Sequence, residues 1–168
     1  VVETLGLCTM ERAAQILQEF TGTARRFEYK GTYKNITVID DYGHHPTEIA
    51  TTLKAIKEAV GSRRLVVAFQ PHRYTRTRDC AGMFGTVFEA ADLLLMTEVY
   101  GAGETPIPGI TYEGILNDVH RSSQVNAFHV PRKAIDNYLR GLLAAGDVLV
   151  TIGAGDITKV GRELAPNY

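Results

Sequence analysis

Four short apolar runs without polar alternation lie along this sequence of 168 residues. They are "RLVVAF" (64–69), "DLLLMTEV" (92–99), "VNAFHV" (125–130) and "DVLVTI" (147–152). Such runs are typical of strands that are covered on both faces, as in a parallel sheet. Before them, residues 26–40 read as a hairpin, in which a tight turn separates "RFEYKG" from "NITVID".

Other segments carry apolar residues at the spacing of an amphipathic helix. They predict helices at residues 10–20, 49–60, 83–88, 115–119 and 135–143. Strands that alternate with helices imply right-handed crossovers and helices on both faces of a mostly parallel sheet. We therefore predict one α/β domain of three layers with about six strands, in which the N-terminal hairpin is the antiparallel pair.

Composition narrows the classes of function. A formal net charge of −1 provides no basic surface for nucleic acid, and no apolar run approaches the ~20 residues of a membrane span. Residues 1–10 lack the basic start and apolar centre of a signal peptide. Because Cys8 and Cys80 form neither a CxxC pair nor a disulfide framework, we expect a reducing cytoplasm. The start at Val1 leads us to expect a piece of a longer protein.

The polar motifs follow the predicted strands. "DYGHHP", "QPHRYTRTRD", "YGAGETPIPG", "VPRK" and "GAGD" each come directly after an apolar run. In an open parallel sheet, ligands bind in the crevice outside the carboxyl ends of the strands. These motifs therefore indicate one candidate site at that edge, where the glycine- and proline-rich "YGAGETPIPG" would shape one side.

"DDYGHHPTEI", residues 40–49, crowds titratable groups at the end of a strand. Pro46 suits the first position of the following helix, and Glu48 suits its first turn. Free N–H groups at that helix N-terminus, together with Asp41, Tyr42 and His44, could hold an anion. The alternative is a polar loop whose aspartates only cap the helix.

"QPHRYTRTRD" places His72, Arg73 and Arg76 beyond the next strand. Guanidinium groups bind carboxylate or phosphate with two parallel hydrogen bonds, which lysine cannot do. Arg73 and Arg76 are three residues apart, so we expect them to share one face of a helical turn. The alternative is a solvated basic turn that pairs with neighbouring acids.

Several other chemistries are disfavoured. "GAGD" is too short for a dinucleotide fingerprint, and the sequence has no GxxxxGK[ST] phosphate loop. A zinc site built from His44, His45 and His72 would lack HxxxH or HExxH spacing, and adjacent histidines point in different directions. No GxSxG segment marks a serine nucleophile, and Cys80, which we expect where a helix begins, suits packing better than catalysis.

Five segments resemble the C-terminal domain of the Mur ligases and occur in the same order. They are "FTGTARRFEYKG", "VIDDYGHHPTEI", "AFQPHRYTRT", "VYGAGETPIPG" and "GDVLVTIGAGDI". The resemblance covers nearly all of the chain, and "DDYGHHPTEI" with "QPHRYTRT" is specific within the family. The sequence is most similar to the members that join L-alanine to UDP-N-acetylmuramate in bacterial peptidoglycan synthesis.

The resemblance implies a Rossmann-like domain, the last of three in an ATP-dependent amide-bond ligase. In such enzymes ATP phosphorylates the carboxylate of the nucleotide sugar, and the amine of L-alanine attacks the acyl phosphate. The N-terminal domain binds UDP-N-acetylmuramate, and the central domain carries the phosphate loop and the Mg²⁺ ligands, so we expect no metal ligand here. Residues 1–20 would end the connection from the central domain, and residues 21–168 would form the C-terminal domain of a bacterial, cytoplasmic enzyme.

Residue roles follow from the family's motifs alone. Asp41 resembles the contact to the ribose of ATP, and Arg26 resembles the arginine that reaches the ATP phosphates when the domains close. The surroundings of the incoming alanine and of the product carboxylate would comprise Tyr42, His44, His72, Arg73 and Arg76.

Two alternatives remain open. The ligase that recycles murein tripeptide is similar but usually has a different stretch in place of "QPHRYTRT". A free-standing α/β module that binds anions or nucleotides would have to bind ATP unaided, which the missing phosphate loop disfavours.

Overall fold

The computed structural model describes residues 24–165, together with Thr9 and Arg12. Strands β1 to β6 are Glu28–Tyr33, Ile36–Asp41, Leu65–Phe69, Leu93–Met96, Asn126–His129 and Val148–Ile152. Helices α1 to α5 are Pro46–Val60, Tyr74–Asp79, Tyr112–Ser122, Ile135–Leu142 and Thr158–Leu164. None of the helices in this described part is long and apolar enough to cross a bilayer. Apart from Arg12, the helix predicted at residues 10–20 lies outside the described residues.

The strands form one sheet in the order β1-β2-β6-β3-β4-β5. Strands β1 and β2 pair antiparallel, and all other neighbours pair parallel. Strand β6, the last along the chain, lies between β2 and β3. This arrangement confirms the predicted mostly parallel sheet of six strands with one antiparallel pair at the N-terminal hairpin.

The fully buried strands divide their side chains between two apolar layers. On β3, Leu65, Val67 and Phe69 pack into the layer formed with α1 and α3. The alternating residues, Val66 and Ala68, pack into the layer formed with α4 and α5. Because successive side chains of a strand point to opposite faces, a strand covered on both sides must be apolar at every position. The runs without alternation therefore correctly predicted a three-layer domain.

The position of β6 makes the carboxyl edge of the sheet a topological switch point. The chain leaves β2 and β3 toward the layer of α1 and α3, but it leaves β6 toward α5 in the opposite layer. The last residues of these strands are in register, with Asp41 and Phe69 both paired to Ile152. Ligands of open α/β sheets bind where neighbouring connections diverge in this way.

The prediction of a helix at residues 83–88 is wrong. The segment is a succession of turns, in which Val87 N–H donates to the Phe84 carbonyl and Ala91 N–H to the Phe88 carbonyl. Gly85 lies so close to α3 that an added Cβ would come within 2.6 Å of the Ser122 side chain. Phe84 and Phe88 are nevertheless buried, so the apolar stripe identified core side chains, although the backbone hydrogen bonds here span three residues instead of the four of an α-helix.

Cys80 ends a helix instead of beginning one, contrary to the sequence-based expectation. It is the C-cap residue of α2, and its N–H donates to the Arg76 carbonyl. Its thiol is buried among the apolar side chains beside α1 and α3, and this burial raises the pKa of the thiol. The expected packing role is confirmed.

Candidate functional site

Four of the polar motifs predicted from the sequence meet at the carboxyl edge of the sheet. Gly153 N–H donates to the Asp41 carbonyl, and Gln70 N–H donates to the Ile152 carbonyl. These bonds place the segments after β2, β6 and β3 side by side. The segment after β4 joins them through a parallel bridge between His72 and Tyr100.

Asp41 fixes the backbone on both sides of β2. Its Oδ2 accepts from the N–H of Phe27 at 2.8 Å, and its Oδ1 accepts from the N–H of Gly43 at 2.7 Å. The residue is only 7% exposed. Both carboxylate oxygens therefore organise the neighbouring loops, a role that the sequence did not reveal.

The two adjacent arginines before β1 point in different directions. Arg26, the predicted phosphate contact, is exposed. The guanidinium of Arg25 turns inward, where it donates to the Gly153 carbonyl at 2.6 Å and lies 4.9 Å from the centre of the Tyr42 ring. Sequence reasoning missed Arg25 because nothing in "ARRFE" distinguishes the two arginines.

Helix α1 begins at the predicted place but with an unexpected cap. Pro46 occupies the first turn, and Glu48 completes a capping box with His45, whose ring nitrogen accepts from Thr47 N–H. Burial raises the pKa of Glu48, but the N–H groups of His44 and His45 outweigh it, so the pKa is lowered overall. The helix is therefore capped by His45. The alternative interpretation, in which the aspartates only cap the helix, is wrong.

Tyr42 and His44 lie beside one another next to the N-terminus of α1. Their rings meet edge to face with 5.4 Å between centroids, and Nδ1 of His44 lies 3.1 Å from the Tyr42 carbonyl. The His44 ring is 6.3 Å from that of His72, so the structure brings these three predicted residues together. His45 faces its own cap instead, so the three histidines do not converge.

His72 is partly buried beyond the end of β3. Its ring is nearly parallel to that of Tyr100, at 5.8 Å and 15°. Its Nδ1 lies 3.0 Å from Nη1 of Arg76. Burial lowers the pKa of His72 to about 4, with further contributions from the positive charges of Arg76 and Arg73.

Arg73 and Arg76 do not share a helical face as predicted. Arg73 is the N-cap residue of α2 and has a φ of 67°, a conformation that is uncommon for residues other than glycine. Its N–H donates to the Tyr100 carbonyl, and its side chain is exposed. Arg76 lies inside α2 and contacts His72, so the two arginines hold different positions in the site. Arg78 pairs with Asp79 on the outer surface of α2 and takes no part.

A network beneath these side chains holds the "GAGD" segment. The buried amide of Gln70 donates to Oδ1 of Asp156 and accepts from the N–H of Ile157. An added Cβ on Gly153 would come within 2.6 Å of the Gln70 carbonyl, and one on Gly155 would collide with the Gln70 side chain. Close approach to Gln70 thus explains the two glycines, although the sequence did not identify their partner.

The sequence predicts that these residues contribute to an ATP site but hold no metal ion. Exposed Arg26 suits a phosphate, but the sequence contains no phosphate loop. Within residues 24–165, no group of three His, Cys, Asp or Glu side chains is arranged to hold a metal ion. We therefore assign Mg²⁺ no ligand from residues 24–165.

Comparisons with known proteins identify relatives in sequence and in fold. The chain is 49% identical over 146 residues to the UDP-N-acetylmuramate–L-alanine ligase of Protochlamydia amoebophila. This match covers 87% of the chain and 32% of the relative. The fold of this chain matches that of the Thermotoga maritima UDP-N-acetylmuramate–alanine ligase with a TM-score of 0.74 and 29% sequence identity. The match covers 99% of this chain and 35% of that one. A murein peptide ligase from Psychrobacter arcticus matches with a TM-score of 0.69, at 25% identity, over 90% of this chain and 31% of that one.

The chain therefore spans about a third of the length of the curated relatives that it matches. The sequence profile described as "Mur ligase, glutamate ligase domain" matches residues 25–155, which contain every predicted site residue. Residues 25–155 make up more than half of the chain and include the carboxyl ends of all five parallel strands. The chain belongs to the Mur ligase family, as its glutamate ligase domain.

Proposed function

We propose that the chain is the C-terminal domain of an ATP-dependent ligase that joins L-alanine to UDP-N-acetylmuramate. The observation that carries the proposal is that the rings of Tyr42, His44 and His72 lie together at the carboxyl edge of the sheet, where the charge of the exposed Arg73 acts on His72. Such a surface offers ring faces and a planar cationic fork, which suits the carboxylate of a small amino acid. The 49% identity to a ligase of that name supports the choice of substrates.

The domain division is part of the proposal. Residues 1–20 would end the connection from a central domain, and residues 21–168 would form the C-terminal domain. The central domain would supply the phosphate loop and the Mg²⁺ ligands, and the N-terminal domain would bind UDP-N-acetylmuramate. Because the reaction consumes ATP, the enzyme would work in the bacterial cytoplasm.

This chain would complete the site when the domains close. Arg26, exposed at the end of a loop whose backbone Asp41 holds, would reach the phosphates of ATP. Asp41 would contact the ribose through lone pairs that its two backbone hydrogen bonds leave free. Tyr42, His44, His72, Arg73 and Arg76 would surround the amino acid. An acyl phosphate reacts with water, so a domain that closes over it would protect the intermediate.

The murein-tripeptide ligase is the second candidate, because a murein peptide ligase matches the fold with a TM-score of 0.69. The two functions differ in the acceptor amine, so one assay separates them. The longer protein that contains this chain is supplied with ATP, UDP-N-acetylmuramate and either free L-alanine or murein tripeptide. We expect ligation of free alanine, and turnover of the tripeptide alone would overturn the proposal.

The chain without the rest of the enzyme provides a second test. Without a phosphate loop it should hydrolyse no ATP above background and bind nucleotide weakly. Isothermal titration with ATP and a phosphate-release assay measure both properties. Tight ATP binding by the chain alone would favour a free-standing nucleotide-binding module instead.

A further inference from the structure

The contact between Arg76 and His72 determines which nitrogen of the imidazole carries the proton. A guanidinium has five N–H donors and no acceptor. With Nη1 of Arg76 at 3.0 Å, Nδ1 of His72 must therefore present its lone pair. A neutral histidine that accepts at Nδ1 carries its proton on Nε2, so the ring is the Nε2–H tautomer.

The surroundings keep the ring neutral and in place. Positive charge reaches it from Arg76 on α2 and from Arg73 at its N-cap, and His44 faces it from the loop before α1. The negative charge of Glu104 favours the protonated ring instead. The oxygens of Glu104, however, accept hydrogen bonds from the N–H and the hydroxyl of Thr75. The Tyr100 ring covers one face of the imidazole, and backbone hydrogen bonds between residues 71–73 and Tyr100 hold the two rings together.

The other nitrogen of the ring is available to a ligand. Nε2 of His72 makes no hydrogen bond to any residue in the described part of the chain, and it is not among the buried unpaired atoms there. It is therefore an unpaired N–H donor that is not fully buried, and the charge of the exposed Arg73 acts on the same ring.

We propose that His72 is a neutral hydrogen-bond donor to an anionic oxygen of the substrate, and that Arg76 is the positioning residue that fixes this tautomer. The proposal rests on the ligase function proposed above. It excludes His72 as the general base for the attacking amine, because Arg76 occupies the only basic lone pair. It also assigns different roles to two arginines of the same motif. Arg73 contacts the substrate directly, whereas Arg76 acts through His72.

The first experiment measures the tautomer in the 168-residue chain itself, so its result does not depend on ligase activity. Two-bond ¹H–¹⁵N correlation spectra distinguish the Nε2–H tautomer, the Nδ1–H tautomer and the imidazolium. We expect Nε2–H for His72 at pH 7 and no titration above about pH 5. In Arg76→Met the midpoint should move up toward 6.5, while Arg78→Met, on the same helix, should leave it unchanged. An Nδ1–H tautomer or an imidazolium at pH 7 would overturn the proposal.

The second experiment measures kcat/KM for alanine in the full-length ligase. Arg76→Met should lower it roughly tenfold or more, while Arg76→Lys, which keeps one N–H donor for Nδ1, should stay within about threefold. His72→Gln, whose amide can replace the Nε2–H, should retain more activity than His72→Phe. Equal losses in Arg76→Lys and Arg76→Met would show that Arg76 grips a carboxylate with its fork. A wild-type enzyme that ignores alanine would contradict the proposed function and leave the spectroscopic result intact.

Discussion

The two edges of the sheet both carry arginines and carboxylates, but they differ in how these groups are paired. At the amino edge, Arg64 makes two parallel hydrogen bonds to Asp147, at 2.9 and 2.5 Å. Arg63 donates to Thr37 and to two backbone carbonyls. Each of these guanidinium groups has fixed partners within the fold, so this edge contributes to stability.

The carboxyl edge leaves selected groups available to a ligand. Within residues 24–165, the guanidinium of Arg73 and Nε2 of His72 make no hydrogen bond, and Arg26 is exposed. Asp41 and Arg25, in contrast, are engaged by the backbone around them. At this edge, groups that are hydrogen-bonded within the fold thus keep in place the loops that carry the unpaired groups. The two edges therefore differ in whether their charged groups have hydrogen-bond partners within the fold, and not in the number of charges. We call the carboxyl edge the functional edge and the amino edge the structural edge.

The largest effect should come from Asp41, whose two carboxylate oxygens both accept from backbone N–H groups. Asp41→Ala leaves the N–H groups of Phe27 and Gly43 without an acceptor and should lower the free energy of unfolding by about 3 kcal/mol. Urea denaturation of the chain measures this loss. In the full-length ligase we also expect the KM for ATP to rise more than the KM for alanine. An unchanged KM for ATP together with the lower stability would make Asp41 purely structural.

On the structural edge, Asp147→Asn should lower the free energy of unfolding by about 2 kcal/mol. The substitution removes the charge that Arg64 contacts, and Asp147 is only 5% exposed. Asp79→Asn is the matched control, because its pair with Arg78 is exposed and should contribute less than ~1 kcal/mol. If the full-length Asp147→Asn enzyme lost alanine affinity at unchanged stability, the contrast between the edges would fail.

Arg73→Lys should separate charge from geometry at the functional edge. Lysine keeps the positive charge but lacks the planar fork, so kcat/KM for alanine should fall about tenfold, or ~1.4 kcal/mol. The melting temperature should not change, because the Arg73 side chain is exposed. Arg78→Lys serves as the control on the same helix. Near-native kcat/KM would show that Arg73 belongs to a solvated basic turn.

The two edges should also differ in the pH range over which they lose stability. The pKa of His72 is lowered from 6.5 to about 4, so the unfolded chain takes up a proton before the folded chain does. Stability should therefore decline as the pH falls from 6.5 to about 4, and His72→Gln should abolish that part of the decline.

The carboxylates of the amino edge should respond only at lower pH. Burial raises the pKa values of Asp92 and Asp147, but hydrogen bonds from Leu65 N–H and Lys57 to Asp92, and from Arg64 to Asp147, lower both below the ordinary 3.8. Their contribution is present above pH 3.8 and disappears as the pH falls below it. Urea denaturation across pH 3 to 7 measures both ranges, and Asp147→Asn should alter only the lower one.

Much of this protein could be predicted from the sequence because the relevant forces act between near neighbours. Strands covered on both faces must be apolar throughout, which identified β3, β4 and β6 and hence the parallel sheet. Pro46 and Glu48 placed the start of α1, because the first turn of a helix favours these residues by itself. The polar motifs could be assigned to one edge because parallel strands end on the same side.

Only the tertiary structure decided which side chain meets which partner. It turned Arg25 inward and left Arg26 exposed, engaged both oxygens of Asp41 and joined Arg76 to His72. It also formed turns in place of the predicted helix at residues 83–88, with Gly85 packed closely against α3. These outcomes depend on β6 lying between β2 and β3 and on contacts between residues far apart in the sequence, which local patterns cannot specify.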